Sequence, residues 1–150
     1  MSIATTDHDL VSTFGLLMEA YNSLEKQLGD SLEEQVGVPH TWFEVMLRIS
    51  RSEAGLAPMG SLAEQVALTG GGVTRMVDRM VGAGLVERVP CANDRRVVYA
   101  ALTAEGQSVL ERAVSVHDEN LRRILCTFSA AELTELDETL RRLRAARLAS

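Results

Sequence analysis

Asn93-Asp94-Arg95-Arg96 interrupts two apolar, β-branched stretches in LVERVPCANDRRVVYAAL, residues 85–102. Two adjacent guanidiniums are permanently charged and carry planar, forked donors that fit phosphate oxygens. An arginine at the tip of a hairpin also suits a narrow minor groove, where negative potential concentrates. Asp94 beside them is expected to hold one of the two in position. A second group, Thr74, Arg75 and Arg79, stands in GGGVTRMVDRMVGAG, residues 70–84. At helical spacing these residues stay off the apolar face, where they could address base edges and backbone. The chemistry is recognition of a polyanion rather than bond making. No Ser-His-Asp set assembles, and no metal-ligand spacing. Gly70-Gly71-Gly72 has no following Gly-Lys-Ser/Thr, which excludes a nucleotide phosphate loop. No catalytic residue, metal or cofactor is therefore expected.

Charge distribution sharpens this reading. The chain carries a formal net charge of −6, which taken whole argues against nucleic acid. Residues 1–64 hold 3 basic and 10 acidic side chains, whereas residues 70–96 hold 5 basic and 3 acidic. Counterion release depends on the contacting face, so a local basic site on an acidic body is compatible with DNA. With 150 residues, 46% hydrophobic and 4% aromatic, the chain is about one domain whose core comes from Leu, Val, Met and Ala. No apolar run approaches the length of a membrane span. MSIATTDHDL lacks the basic and apolar regions of a secretory signal, so the cytoplasm is the expected compartment.

Apolar periodicity supplies the elements that must position the arginines. Leu10, Phe14, Leu17, Tyr21, Leu24 and Leu28 form a heptad-like seam, ended by Gly37 and Pro39. A second helix starts near His40, with Phe43, Met46, Leu47 and Ser50 on one side. SEAGLAPMG, residues 52–60, reads as a loop. Ser61 with Glu64 forms a capping box for a short helix carrying Leu62, Ala63 and Val66. Thr69 caps the next helix, which turns Val73, Val77, Met80 and Val81 inward and stops at Gly82 and Gly84. LVERV and VVYAAL are strands about the Asn-Asp-Arg-Arg tip. Thr103 caps a long helix with the seam Leu110, Val114, His117, Leu121, Ile124 and Phe128. Ser129 and Glu132 box the last helix, striped by Leu133, Leu136, Leu140 and Leu143.

Two short helices joined by a tight turn and followed by a hairpin make a winged helix-turn-helix. The predicted fold is mainly α with a small β-hairpin wing, the DNA-binding lobe being flanked by N- and C-terminal dimerisation helices. The terminal seams are too apolar for one small domain to bury. A second copy would cover them and would pair two recognition helices on a pseudo-palindromic site, half-sites about 10 bp apart.

These features carry a resemblance. LAEQVALTGGGVTRMVDRMVGAGLVERVPCANDRRVVYAALTAEG, residues 62–106, resembles the MarR (multiple antibiotic resistance regulator) family, through VTRMVDRM, GLVER, the D-x-R wing at Asp94 and Arg96, and LTAEG. TWFEVMLRIS fits the second helix. The resemblance covers nearly all of residues 1–150: a winged lobe over about 38–104, with dimerisation helices at 7–36 and 104–148. It implies a homodimeric transcription factor on double-stranded DNA, usually a repressor, often released by a small aromatic or phenolic effector or by oxidation. One departure concerns Gly70-Gly71-Gly72, where relatives often carry base-reading side chains. Gly71 and Gly72 offer only close backbone approach to phosphate. Base reading would then fall more heavily on Thr74, Arg75 and Arg79, or on DNA shape, with Thr69 as a further DNA contact.

Each assignment has a plainer counterpart. Arg75 and Arg79 could pair with Asp78 or Glu64 inside the domain. The resemblance implies an effector pocket near the start of the second helix, where Met18, Tyr21, His40, Trp42 and Arg48 fall. Trp42 as core and Arg48 as an ion-paired surface residue explain the same residues. Cys91 beside the wing reads as an incidental thiol, or as a redox residue if Arg88 and Arg95 lower its pKa. Cys126 is expected to pack in the helical bundle. His117 on its seam reads as an interface histidine rather than a metal ligand. The other functional class open to this sequence is a winged-helix protein-interaction module, without a ligand or specific DNA binding.

Overall fold

A computed structural model describes residues 9–65 and 70–147. Six helices and three strands follow in order: α1 (Leu10–Val36), α2 (His40–Arg51), β1 (Ala57–Pro58), α3 (Met59–Gln65), α4 (Gly70–Gly82), β2 (Val86–Pro90), β3 (Val98–Leu102), α5 (Ala104–Ile124) and α6 (Ala130–Ala145). A short 3-10 turn, Glu53–Gly55, precedes β1. The chain divides into two compact units, residues 1–117 and 118–150. The mainly helical architecture with a small sheet agrees with the winged-helix expectation. Thr69, Val66 and His8 lie outside the described residues.

Within the first unit, one stripe of each helix meets a common core. From α4 come Val73, Val77 and Met80; from α2 come Phe43, Val45, Met46 and Ile49; from α1, Leu32; from α5, Val109, Leu110 and Ala113. Val81 is 38% exposed rather than turned inward. Its position at the end of α4 carries it past the buried stripe. On α2 the buried stripe runs through Val45 and Ile49, while Ser50 is exposed. On α5 it runs through Gly106, Val109, Leu110 and Ala113, leaving Val114 exposed. A helical face with two apolar stripes buries whichever meets the core, and periodicity alone does not choose between them.

The sheet is antiparallel in the order β1-β3-β2. Ala57 faces Ala100 and Pro58 faces Tyr99, so residues 57–58, expected to be loop, form a third strand. That pairing also moves the start of α3 to Met59. Ser61 therefore lies inside the first turn instead of capping the helix. Proline at the preceding position suits a helix start, because its missing N–H has no role there. β2 and β3 pair from Val86 opposite Leu102 to Pro90 opposite Val98.

Helix ends follow local chemistry. The α4 terminus is a Schellman motif: the Leu85 N–H donates to Met80 O at 3.0 Å and the Gly84 N–H to Val81 O at 2.9 Å. Gly84 takes φ +75°, which a side chain would resist. Thr103 caps α5, its Oγ1 accepting from the Gly106 N–H at 2.9 Å and donating to Gly84 O at 2.6 Å. Ser129 and Glu132 complete their capping box on α6.

At the base of the wing the Thr103 N–H donates to Leu85 O at 3.1 Å. Gly106 passes so close that a Cβ there would stand 1.9 Å from the same carbonyl. Only glycine allows α5 to start at this height. Replacing Gly106 with Ala is expected to lower stability by roughly 1–3 kcal/mol, as overpacking against backbone does. Denaturant unfolding checks this; a midpoint equal to that of the wild type would show that the junction yields without cost.

Candidate nucleic-acid interface

The wing tip is a β-turn. The Val97 N–H donates to Asp94 O at 3.1 Å, and the Cys91 N–H to Val97 O at 3.1 Å. Arg95 and Arg96 thus occupy the two central turn positions, and both are exposed. An aspartate at the first position is favoured because its carboxylate accepts from backbone N–H groups ahead of it. Asp94 Oδ1 accepts from the Arg96 N–H at 3.0 Å and from Arg96 Nε at 3.2 Å, while Oδ2 accepts from Nη2 at 3.3 Å. The Arg96 guanidinium, and then its backbone N–H, hold the Asp94 carboxyl below the usual carboxylate range. Asp94 orients Arg96 without covering it, since the arginine side chain stays 90% exposed. Arg95 forms no ion pair among the described residues.

Helix α4 supplies the other half. Its first turn is Gly70-Gly71-Gly72, so nothing beyond backbone is presented there. Thr74, Arg75 and Arg79 follow on the exposed side, opposite the buried Val73, Val77 and Met80. Arg75 and Arg79 form no ion pair among the described residues. Asp78, one of the two acids that could have paired with them, binds Arg88 of β2 instead, Nη1 to Oδ1 at 2.7 Å. Arg88 is a further member of this face. Ten residues separate it from Asp78, and no helical or strand period signals that pairing. A cleft beside α3 is lined by Ser61, Glu64, Thr74, Arg88 and Arg96. It brings the recognition helix and the wing together.

The residues expected to hold an effector come from α1 and α2. Met18 and Tyr21 are exposed on α1. Burial, and then the charges of Glu25 and Glu44, raise the Tyr21 hydroxyl above its ordinary pKa. Trp42 is half-buried against the core. His40 stacks on His117 with ring centroids 5.9 Å apart, and Phe43 meets His117 at 4.8 Å. His117 therefore has ring neighbours inside its own protomer. Arg48 lies two turns along α2 from His40, about 12 Å by helical rise. It lines a different cleft, with Glu44, Arg51, Ser52 and Gln65.

Two thiols also depart from expectation. The Cys91 thiol is pulled below its ordinary pKa by the backbone N–H groups of Asn93 and then Asp94, not by Arg88 or Arg95. Cys126 is exposed in the turn after α5, where no helical face packs it. No group of three or more His, Cys, Asp or Glu able to hold a metal occurs among the described residues. No helix among them is long and apolar enough to cross a membrane.

Known proteins share this arrangement. The MarR family model matches residues 38–98. The HTH-type transcriptional regulator PecS of Dickeya dadantii (strain 3937) is 34% identical over 102 residues, covering 67% of this chain and 61% of its own length. The chain thus spans about three fifths of that relative. The homoprotocatechuate degradative operon repressor of Escherichia coli is 32% identical over 103 residues, covering 67% of this chain and 70% of its own. A solved structure of Sco3205, a MarR family transcriptional regulator from Streptomyces coelicolor in complex with DNA, has a TM-score of 0.81 at 26% identity. That likeness covers 96% of this chain and 89% of the other. The family model, the relative's sequence and the solved fold agree: the chain belongs to the MarR family of winged-helix transcriptional regulators.

Proposed function

We propose that the protein is a cytoplasmic, homodimeric repressor that binds a pseudo-palindromic operator in double-stranded DNA. The observation that carries this reading is the geometry of the charges. Two α4 arginines, Arg75 and Arg79, lack carboxylate partners among the described residues, and a turn presents Arg95 and Arg96 with one of them held by Asp94. Thr74 and Arg75 then read the major groove, while the wing tip lies along the backbone or enters the minor groove. Gly71 and Gly72 belong to the same contact, as does Thr69, which precedes them in the sequence. The repressor role follows the one named for the E. coli relative.

Dimerisation is supported by apolar surface at both ends of the chain. On α1, Leu10 is 76% and Phe14 63% exposed; on α6, Leu136, Leu140 and Leu143 are likewise uncovered. Such stripes are costly in water and are covered by self-association in symmetric regulators. On this reading residues 38–104 are the DNA-binding lobe, and 7–36 with 104–148 the dimerisation helices. An aromatic or phenolic effector that alters the separation of the two recognition helices would shift the protein from its DNA-competent state. Met18, Tyr21, His40 and Trp42 are the residues proposed to meet it, with Arg48 acting from its separate cleft.

Binding to duplex DNA from the region upstream of the protein's own gene tests the reading. Wild type is expected to bind tightly and to weaken steeply with salt. With Arg95→Ala and Arg96→Ala together, the slope of log K against log salt should fall by about 2–4, at about 0.9 per phosphate contact over two wings. Weak binding indifferent to the wing would favour the protein-interaction module, which the net charge of −6 suits. For the dimer, Leu136→Glu with Leu140→Glu should convert a sedimenting dimer to a monomer and abolish operator binding. A variant that remains dimeric would remove α6 from the interface.

A further inference from the structure

Arg88 and Asp78 join the wing to the recognition helix. Nη1 of Arg88, the third residue of β2, lies 2.7 Å from Oδ1 of Asp78 on α4. The side chains are 35% and 56% exposed. An ion pair in that setting adds little to stability. Its position is the informative part. Asp78 stands three residues after Arg75 and one before Arg79 on the exposed side of α4. An unpaired carboxylate there would repel phosphate, and Arg88 neutralises it from the neighbouring element.

Leverage makes the pair matter. The hairpin is anchored at its base by the sheet and by the bond from Thr103 to Leu85 O. Beyond the pairing of Arg88 with Ala100 the other arm runs four residues to Arg96, about 13 Å if extended. A swing of about 10° over that length moves the tip by roughly 2 Å, more than a hydrogen bond tolerates. Arg88 also lines the cleft shared with Thr74 and Arg96, at the point where helix and wing converge.

We infer that Arg88 is a positioning residue: through Asp78 it sets the wing arginines at a fixed distance from α4, and it does not itself hold a phosphate. The inference rests on the regulator reading. Its consequence runs against simple electrostatics. Removing an acid from a DNA-facing helix ordinarily strengthens binding. Here the loss of Asp78 weakens it, because the wing loses its strut.

The test is a salt series on duplex DNA from the region upstream of the protein's own gene. It compares the full-length wild type with Asp78→Ala, Arg88→Ala, the double variant and Arg88→Lys. Each alanine variant is expected to bind about ten-fold more weakly. The double variant should also lose about ten-fold, not a hundred-fold, as residues acting as a unit do. Arg88→Lys should recover part of the loss, and the salt slope should stay within about 1 of wild type. Thermal melting should be unchanged to within a few degrees. Asp78→Asn and Arg88→Gln, run in parallel, decide the result if an alanine variant does not fold. The inference is overturned if Asp78→Ala binds as tightly as wild type or more tightly, or if the two losses add. It is equally overturned if Arg88→Ala lowers the slope by about 1.8, the value for one phosphate lost on each protomer. A wild type that itself binds neither this duplex nor a random-sequence pool would overturn the regulator reading, and the inference with it.

Discussion

The carbonyl of Leu85 is the point on which the DNA-binding geometry turns. Leu85 ends the Schellman motif of α4, precedes the first residue of β2, and accepts the Thr103 N–H that follows β3. Gly106 in the first turn of α5 lies against the same oxygen. One short segment therefore sets the end of the recognition helix, both ends of the hairpin and the start of the next helix. Every bond in it is backbone to backbone or comes from a short cap, so little rotamer freedom is available to blur it. The αL turn at Gly84 is what brings the chain round within so few residues.

From that anchor the charges acquire a direction. The body is acidic, yet Arg75, Arg79, Arg95 and Arg96 stand on elements leaving the same junction. Two acidic residues on this face are engaged, Asp94 by Arg96 and Asp78 by Arg88. Neutralising them leaves the unpaired guanidiniums to dominate at short range, where counterion release is decided. Net charge then describes the remainder of the surface more than the proposed contact.

The apolar residues divide in the same manner. Those on α2, α4 and the start of α5 close a core with no buried charged residue among the described residues. The outer stripes of α1 and α6 remain uncovered in a single chain. A protein of this size has too little interior to bury them. Their heptad spacing suits packing between helices of separate copies. The two sets of apolar positions thus differ, the inner one closing the core and the outer one left exposed, as the proposed dimer would require.

What the sequence by itself determined is largely what acts over a few residues. The caps at Thr103 and Ser129, the stop at Gly84, the hairpin around the arginines and the hold of Asp94 on Arg96 all arise within about five positions of chain. Their physical cause is a side chain or a missing Cβ beside a backbone group. Only the tertiary structure decided the rest. Strand β1 exists because β3 offers it an edge, and that pairing moved the start of α3 from Ser61 to Met59. Core contact chose Val109 and Ala113 over Val114 on α5. The stacking of His40 on His117, the separation of Arg48 from them, and the bridge from Arg88 to Asp78 join residues whose spacing carries no period. Non-local contacts of this kind depend on where whole elements come to rest, and no short stretch of chain encodes that.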